Sequence, residues 1–210
     1  MTPTSHSHHR RGLIAGGVLG FPLGLLLLMA VASAGPEEGP TEYELKAAFL
    51  HKFVSYVEWP EKCFHAGSAP EQRPDARPSG EVFRIGVLGK DPFGAVLEDT
   101  VRGKRVKDRP VAIERSQSVE QLYACHLLFI CASERDRLAE HLAALQDRPI
   151  LTVGETAGFA ALGGILNLFF EGRKLRFEVN PQAAERCGLQ LSAKLLKLAR
   201  VVRTETPVTR

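Results

Sequence analysis

Hydrophobic positions near the N-terminus form one continuous run and then give way to a helical spacing. Residues 13–31 contain no charged side chain, follow Arg10-Arg11 and precede Ala32-Ser33-Ala34. This order of basic, apolar and small-residue segments is typical of a cleaved secretory signal. A retained membrane anchor is the alternative, since the run is long enough to span a bilayer. We expect a signal peptide over residues 1–34 and a linker over residues 35–40.

An amphipathic helix is predicted directly after the linker. Thr41 and Glu44 have the spacing of a capping box, in which each residue bonds a backbone amide of the other. The apolar positions that recur at helical spacing are Leu45, Ala48, Phe49, Phe53, Tyr56 and Val57. Lys46 falls on another face of this helix, and Pro60 is expected to end it.

Alternating strand and helix patterns predict the fold class of the remaining chain. Apolar runs predict strands at residues 82–88, 111–114, 127–131 and 149–153, and a hairpin of strands at 165–170 and 174–179. Helix starts are indicated at Asp91-Pro92, Ser118, Ser133, Asn180-Pro181 and Ser192. We expect one α/β domain over residues 41–203, with a mixed, mostly parallel central sheet, flanking helices and a C-terminal β-hairpin plus helix. Residues 204–210 are expected to be a flexible tail.

A segment between the first helix and the first long strand differs in composition. Residues 65–80 contain Pro70, Pro74 and Pro78 among small and charged residues. Such a segment has too little apolar surface to offset the entropy of packing. We therefore expect a mobile surface loop within the domain.

The charge of the chain becomes nearly neutral once the predicted signal peptide is removed. The whole chain has 27 Lys and Arg against 24 Asp and Glu, and loss of Arg10 and Arg11 leaves 25 against 24. Binding of nucleic acid needs a basic excess. We therefore expect no nucleic-acid partner.

All four cysteines, Cys63, Cys125, Cys131 and Cys187, follow the predicted cleavage site. Export would place them where disulfides persist. The two ends of an extended 125–131 strand are about 20 Å apart, whereas a disulfide tolerates about 7 Å between Cα atoms. If two disulfides form, we expect Cys63 to pair with one of these cysteines and Cys187 with the other. The alternative is that some of the thiols are buried small hydrophobes.

Sequence motifs of known catalytic chemistry do not occur in the chain. It contains no phosphate-binding loop, dinucleotide fingerprint, His-Glu-x-x-His or nucleophile elbow. His126 has no sequence partner and is expected to be a core or surface histidine. Glu155, on a glycine-bounded loop, and Asn167, inside an apolar strand, are better candidates for a binding role. We expect a non-catalytic protein with no cofactor and no metal.

Several stretches resemble the YfiR family of exported regulators. They are Lys46-Ala47-Ala48-Phe49-Leu50 through Val57-Glu58-Trp59-Pro60, Cys125-His126-Leu127-Leu128-Phe129-Ile130, Gly163-Gly164-Ile165 through Val179-Asn180, and the closing helical stretch 188–199. The resemblance spans nearly the whole predicted domain.

The resemblance implies a periplasmic protein that binds the sensory part of an inner-membrane diguanylate cyclase and holds the cyclase inactive. Release would raise cyclic di-GMP and favour biofilm formation. It also implies homodimers, disulfides that matter for folding, and control by redox state or by an outer-membrane lipoprotein. The partner surface is expected around Glu155, Phe159, Ile165 and Asn167.

Two other functions are compatible with the sequence. A periplasmic small-molecule-binding or envelope interaction protein without a cyclase partner would be favoured by a deep, closed aromatic pocket. An enzyme would need titratable groups that converge in space, such as His126 meeting a carboxylate.

Overall fold

The computed structural model describes residues 39–64 and 82–204. The predicted signal peptide, the linker up to residue 38, the proline-rich loop at 65–80 and residues 205–210 lie outside the described residues. Among the residues that are described, no helix is long and apolar enough to cross a membrane.

The first helix, α1, spans Glu42–Phe53 and begins with the predicted capping box. The Thr41 N–H donates to Glu44 Oε2 at 2.6 Å, and the Glu44 N–H donates to Thr41 Oγ1 at 3.3 Å. The prediction that the helix runs to Pro60 is wrong. A 3-10 turn at Val54–Tyr56 follows α1, and strand β1, Val57–Glu58, then pairs antiparallel with strand β9, Gln190–Leu191.

The remaining helices are α2 (Val96–Val101), α3 (Leu138–Leu145), α4 (Pro181–Arg186) and α5 (Ala193–Leu198). Asn180 caps α4 as predicted, because its side-chain oxygen accepts from the Ala183 N–H at 3.0 Å. Ser192 caps α5 in the same way. The predicted start at Asp91-Pro92 is wrong for α2, since Asp91 instead accepts from the Phe93 N–H at 2.8 Å in a turn before the helix.

The other strands are β2 (Phe83–Leu88), β3 (Arg105–Val106), β4 (Arg109–Ser116), β5 (Leu127–Ile130), β6 (Leu151–Gly154), β7 (Leu166–Glu171), β8 (Lys174–Val179) and β10 (Arg200–Val201). Together they form an eight-stranded sheet in the order β10-β8-β7-β6-β5-β2-β4-β3. Strands β4, β2, β5, β6 and β7 are parallel, whereas β8 returns antiparallel to β7. The predicted mixed, mostly parallel sheet with a C-terminal hairpin and helix is confirmed.

Apolar side chains cover both faces of this sheet. The larger cluster joins β2, β5, β6 and β7 to α1, α2, α4 and α5, and the smaller one joins the opposite face to α3. All four residues of β5 are buried, as expected for a parallel strand covered on both faces. The sheet is therefore a rigid frame that fixes the segments following its strands.

Candidate functional site

A ligand-binding site in this fold is expected at the carboxyl ends of the parallel strands. Strand β2 is the first parallel strand in the sequence, and its neighbours in the sheet are β4 on one side and β5 on the other. Open α/β sheets bind ligands outside the carboxyl ends of the strands where the strand order reverses in this way. In this chain that point lies between β2 and β5.

Direct contact closes the crevice at this point. The Lys90 N–H, just after β2, donates to Ser133 Oγ, just after β5, at 2.9 Å. Gly89 has a φ of +97°, and a Cβ there would lie 2.5 Å from Ser133 Oγ and 2.7 Å from a carboxylate oxygen of Glu134. The two segments therefore touch where many α/β proteins leave space for a ligand.

A buried ion pair lies beside this closed crevice. Lys46 of α1 reaches the segment after β6, where its Nζ lies 2.5 Å from Glu155 Oε2. The two side chains are only 5% and 7% exposed. The other oxygen of Glu155 accepts from the Ala132 N–H at 3.2 Å, and Lys46 also contacts Glu42 one turn earlier in α1. One carboxylate thus joins α1 to the segments that follow β5 and β6.

The electrostatics of this cluster favour the charged form of Lys46. Burial works against a charged Lys46, but hydrogen bonds to Glu155 and Glu42 outweigh it, so the pKa of Lys46 lies above its ordinary value. Burial and the Glu155 charge raise the pKa of Tyr43, whose ring centroid lies 4.7 Å from Lys46 Nζ. A lysine held protonated in this way cannot act as a base or nucleophile at neutral pH.

The thiol closest to the cluster is also unreactive. Burial, with the charges of Glu155, Asp91 and Glu134, raises the pKa of Cys131 to about 12. Because the thiolate is the nucleophile, Cys131 stays protonated and inert at neutral pH.

A serine, a glutamate and a histidine also lie close together here, but their contacts differ from those of a catalytic triad. Ser133 Oγ donates to Glu134 Oε1 at 3.2 Å, and Glu134 Oε2 lies 3.1 Å from Nε2 of the buried His141. A catalytic serine must bond to the histidine itself. In this cluster the carboxylate separates them. Within residues 39–64 and 82–204, no group of three His, Cys, Asp or Glu side chains could hold a metal ion.

His126 is a core histidine, which is one of the two alternatives predicted from the sequence. Its ring is stacked between Phe64 and Phe83, with centroid distances of 5.1 and 4.8 Å. Its Nδ1 accepts from the Arg84 N–H at 3.0 Å, and its Nε2 lies 3.3 Å from the Cys63 carbonyl oxygen. Burial lowers the pKa of His126 to about 4. The ring is therefore neutral, and these contacts are structural.

One protein-family model matches most of the chain. The family model described as YfiR/HmsC-like matches residues 43–200, which is most of the chain and all of the central sheet up to β10. The chain belongs to this family. YfiR-like proteins are known as periplasmic regulators rather than catalysts. Among curated proteins, none matches the chain.

Two solved structures are similar to part of the chain. One is a conserved domain protein from Vibrio cholerae, 11% identical, with a TM-score of 0.48 over 79% of this chain and 60% of that one. The other is the ABC domain in complex with L-Trp from Streptococcus pneumoniae, 11% identical, with a TM-score of 0.42 over 57% of this chain and 55% of that one. The matches thus span little more than half of each of those chains, and neither similarity bears on function.

The structure places the residues predicted for the partner surface inside the domain, with Phe159 and Ile165 in different apolar clusters. Phe159 is fully buried against Gly154 and Gly164, and a Cβ at either glycine would overlap its ring. Ile165 is 1% exposed and Asn167 is 3% exposed. This burial argues against direct contact of these three residues with a partner. Leu162, which is 54% exposed, presents apolar surface from the same loop.

All four cysteines are free thiols in this structure, so it does not contain the predicted disulfides. Cys125 and Cys131 flank β5, and Cys125 and Cys63 pack in different apolar clusters on the two faces of the sheet. Cys187 Sγ lies 3.1 Å from the Gln146 carbonyl oxygen beside the end of α3. The proposed pairings stay a prediction for the exported protein.

Lys46 is the residue that sequence reasoning missed. It was assigned to a face of α1 other than the apolar one, whereas the structure buries it. Its partner Glu155 lies 109 positions away in the sequence. The only local signal is Glu42 four residues earlier, a spacing that is equally typical of an exposed helical ion pair.

Proposed function

We propose that this chain is an exported, non-catalytic binding protein that represses an inner-membrane diguanylate cyclase and so lowers cyclic di-GMP and biofilm formation. Membership of the YfiR/HmsC-like family supports a periplasmic regulator. The observation that carries the non-catalytic part is the closed carboxyl end of the sheet. There the protonated Lys46 is neutralised by Glu155, in place of a ligand.

Repression of this kind is a differential-binding switch. The protein can shift the cyclase only by as much as it prefers the inactive state of the cyclase. A homodimer and an outer-membrane lipoprotein as a second partner belong to the same proposal, by analogy with the family. The rigid sheet would position the partner surface, which we assign to the exposed part of the loop that follows β6, around Leu162.

The test is cellular cyclic di-GMP, measured with a fluorescent reporter in the source organism. Deletion of the gene is expected to raise the signal, and the exported protein is expected to reverse the rise. A version without residues 1–34 should not reverse it. No change on deletion under several growth conditions would refute cyclase repression and favour an envelope protein without a cyclase partner.

Two matched variants test the assigned surface. Leu162→Arg places a charge on the loop after β6, whereas Leu198→Arg places the same charge on α5, where Leu198 is 65% exposed. With equal periplasmic abundance by immunoblot, Leu162→Arg is expected to relieve repression and Leu198→Arg to retain it. Equal behaviour of the two variants would show that the loop is not the contact.

A further inference from the structure

Exposed apolar side chains are concentrated where the sheet ends at β10. Among the described residues, the large apolar side chains that are exposed are Leu162, Phe170, Leu198 and Val201, with exposed fractions of 54%, 39%, 65% and 55%. Three of these four belong to the β7–β8 hairpin, α5 and β10, which together form what we call the β10 edge. Clustered exposed apolar surface marks an interaction site.

The strand register places these side chains near one another. Val201 is the Cα partner of Val179 in β8, and Phe170 is the Cα partner of Leu175 in the same strand. Val179 and Leu175 are four residues apart and so face the same side of the sheet, the side on which α5 packs. Because β10 runs parallel to β8, Leu198, which precedes β10, lies towards the hairpin turn and Phe170.

The chain around this apolar surface is strongly basic. Residues 192–204 contain four Lys and Arg and no Asp or Glu, in a chain with 27 basic and 24 acidic residues. The turn of the β7–β8 hairpin adds Arg173 and Lys174. The β10 edge therefore combines exposed apolar side chains with an excess of positive charge.

The lysines of α5 are not neutralised by ion pairs. In the part of the chain that the structure describes, no carboxylate lies within ion-pair distance of Lys194 or Lys197. Lys194 Nζ lies 5.8 Å from the centroid of the Tyr56 ring, and Lys52 Nζ lies 5.9 Å from the same centroid, which brings a third cation to α5. Arg200 already contacts two carboxylates and is left out of the argument.

We propose that the β10 edge binds the surface of an anionic phospholipid membrane. Leu198, Val201 and Phe170 would enter the boundary between headgroups and acyl chains, and the lysines would contact the phosphates. A second copy of this chain fits the edge poorly, because a two-fold axis would bring the lysines of both copies together. The inference goes beyond the proposed function, since lipid binding requires no cyclase.

The test is sedimentation of the purified exported protein with sucrose-loaded lipid vesicles over a series of lipid concentrations. With vesicles that contain about one third phosphatidylglycerol, we expect a dissociation constant of about 100 μM lipid. Binding to vesicles of phosphatidylcholine alone should be at least about tenfold weaker. Binding to the anionic vesicles should weaken as the salt concentration rises.

A pair of matched charge variants tests the position of the surface. Lys194→Glu with Lys197→Glu should weaken binding to anionic vesicles at least about tenfold. The control is Lys104→Glu with Lys107→Glu, the same charge change at the same spacing beside β3, which lies at the opposite edge of the sheet. In about 0.1 M salt the control should change binding less than about twofold. Circular dichroism checks that both variants are folded.

A second pair of variants tests the apolar contact. Leu198→Ser should weaken binding to anionic vesicles about fivefold, whereas Leu162→Ser, at a similarly exposed leucine beside α3, should change it less than about twofold. Leu198→Arg exchanges an apolar contact for an ionic one, so the expectation for that variant in the repression assay is unchanged.

Several results would overturn the inference. They are equal binding to anionic and neutral vesicles, no binding at about 1 mM lipid, roughly tenfold above the expected constant, and equal loss of binding within either pair of variants. Native inner-membrane vesicles are compared before and after protease treatment. Binding to native vesicles that protease abolishes, with none to lipid vesicles, would overturn it in favour of a protein partner.

Lipid vesicles contain no cyclase, so these measurements are separate from the cyclic di-GMP assay. Vesicle binding without an effect of gene deletion on cyclic di-GMP would retain the inference and refute cyclase repression. A deletion effect without vesicle binding would do the reverse.

Discussion

Replacement of Lys46 by methionine tests whether the buried ion pair stabilises the closed end of the sheet. Methionine keeps the length and apolar stem of lysine but removes its charge. Glu155 would then remain 7% exposed with the Ala132 N–H as its remaining partner among the contacts described above. Removing one partner of a buried ion pair costs about 3–5 kcal/mol. Because the backbone hydrogen bond stays, we expect a loss of about 3 kcal/mol in the free energy of unfolding.

The assay is urea unfolding followed by circular dichroism, with thermal unfolding in parallel. For a domain of this size the loss corresponds to a fall in Tm of roughly 6–12 °C. The matched control is Arg137→Met, which removes a cation from Glu140 where the two side chains are 54% and 67% exposed. That exposed pair is expected to contribute less than about 0.5 kcal/mol.

A double variant separates the effect of the unpaired charge on stability from the effect of altered packing. Glu155→Gln added to Lys46→Met removes both charges together, and we expect it to recover about 2 kcal/mol relative to Lys46→Met alone. The reasoning is refuted if Lys46→Met is no more destabilising than Arg137→Met, or if the second substitution adds to the loss.

Three further predictions follow from burial. Because the pKa of His126 is lowered from 6.5 to about 4, the stability that its neutral form contributes is present above pH 6.5 and is lost as the pH falls towards 4. The loss is about 3 kcal/mol and should be absent from urea unfolding of His126→Gln. Gly164→Ala should destabilise the domain by about 2 kcal/mol or more through overlap with a buried ring, whereas Gly39→Ala, in open space, should be nearly neutral by the same assay. Iodoacetamide at pH 8 should label the half-buried Cys63 well before Cys131, as read by mass spectrometry, and equal rates would contradict the burial of Cys131.

The elements with strong local signals could be predicted from the sequence. The capping box at Thr41, the cap at Asn180 and the apolar runs of β2, β5, β6, β7 and β8 each depend on neighbours in the chain. The short strands β1, β3, β9 and β10 were not predicted, because two-residue strands have no pattern of their own. Whether these short strands form depends on the strands with which they pair.

The candidate site was less predictable than the fold. Glu155 was selected because it lies on a glycine-bounded loop, and the structure places it at the carboxyl end of β6 as an internal partner of Lys46. Phe159 and Ile165 were placed on a surface, yet the closing of the loop onto Gly154 and Gly164 buries the phenylalanine ring. Which side of a loop faces the core depends on tertiary packing, and local sequence does not encode it.

The most direct measurement of repression adds the purified protein back to spheroplasts of the deletion strain, whose inner membrane exposes its periplasmic face. Cyclic di-GMP is then quantified by mass spectrometry. The account predicts that the native protein lowers cyclic di-GMP in a saturable way, and that heat-denatured protein and Leu162→Arg do not. An unchanged cyclic di-GMP level at saturating native protein would contradict the claim that this chain represses a membrane cyclase by binding it.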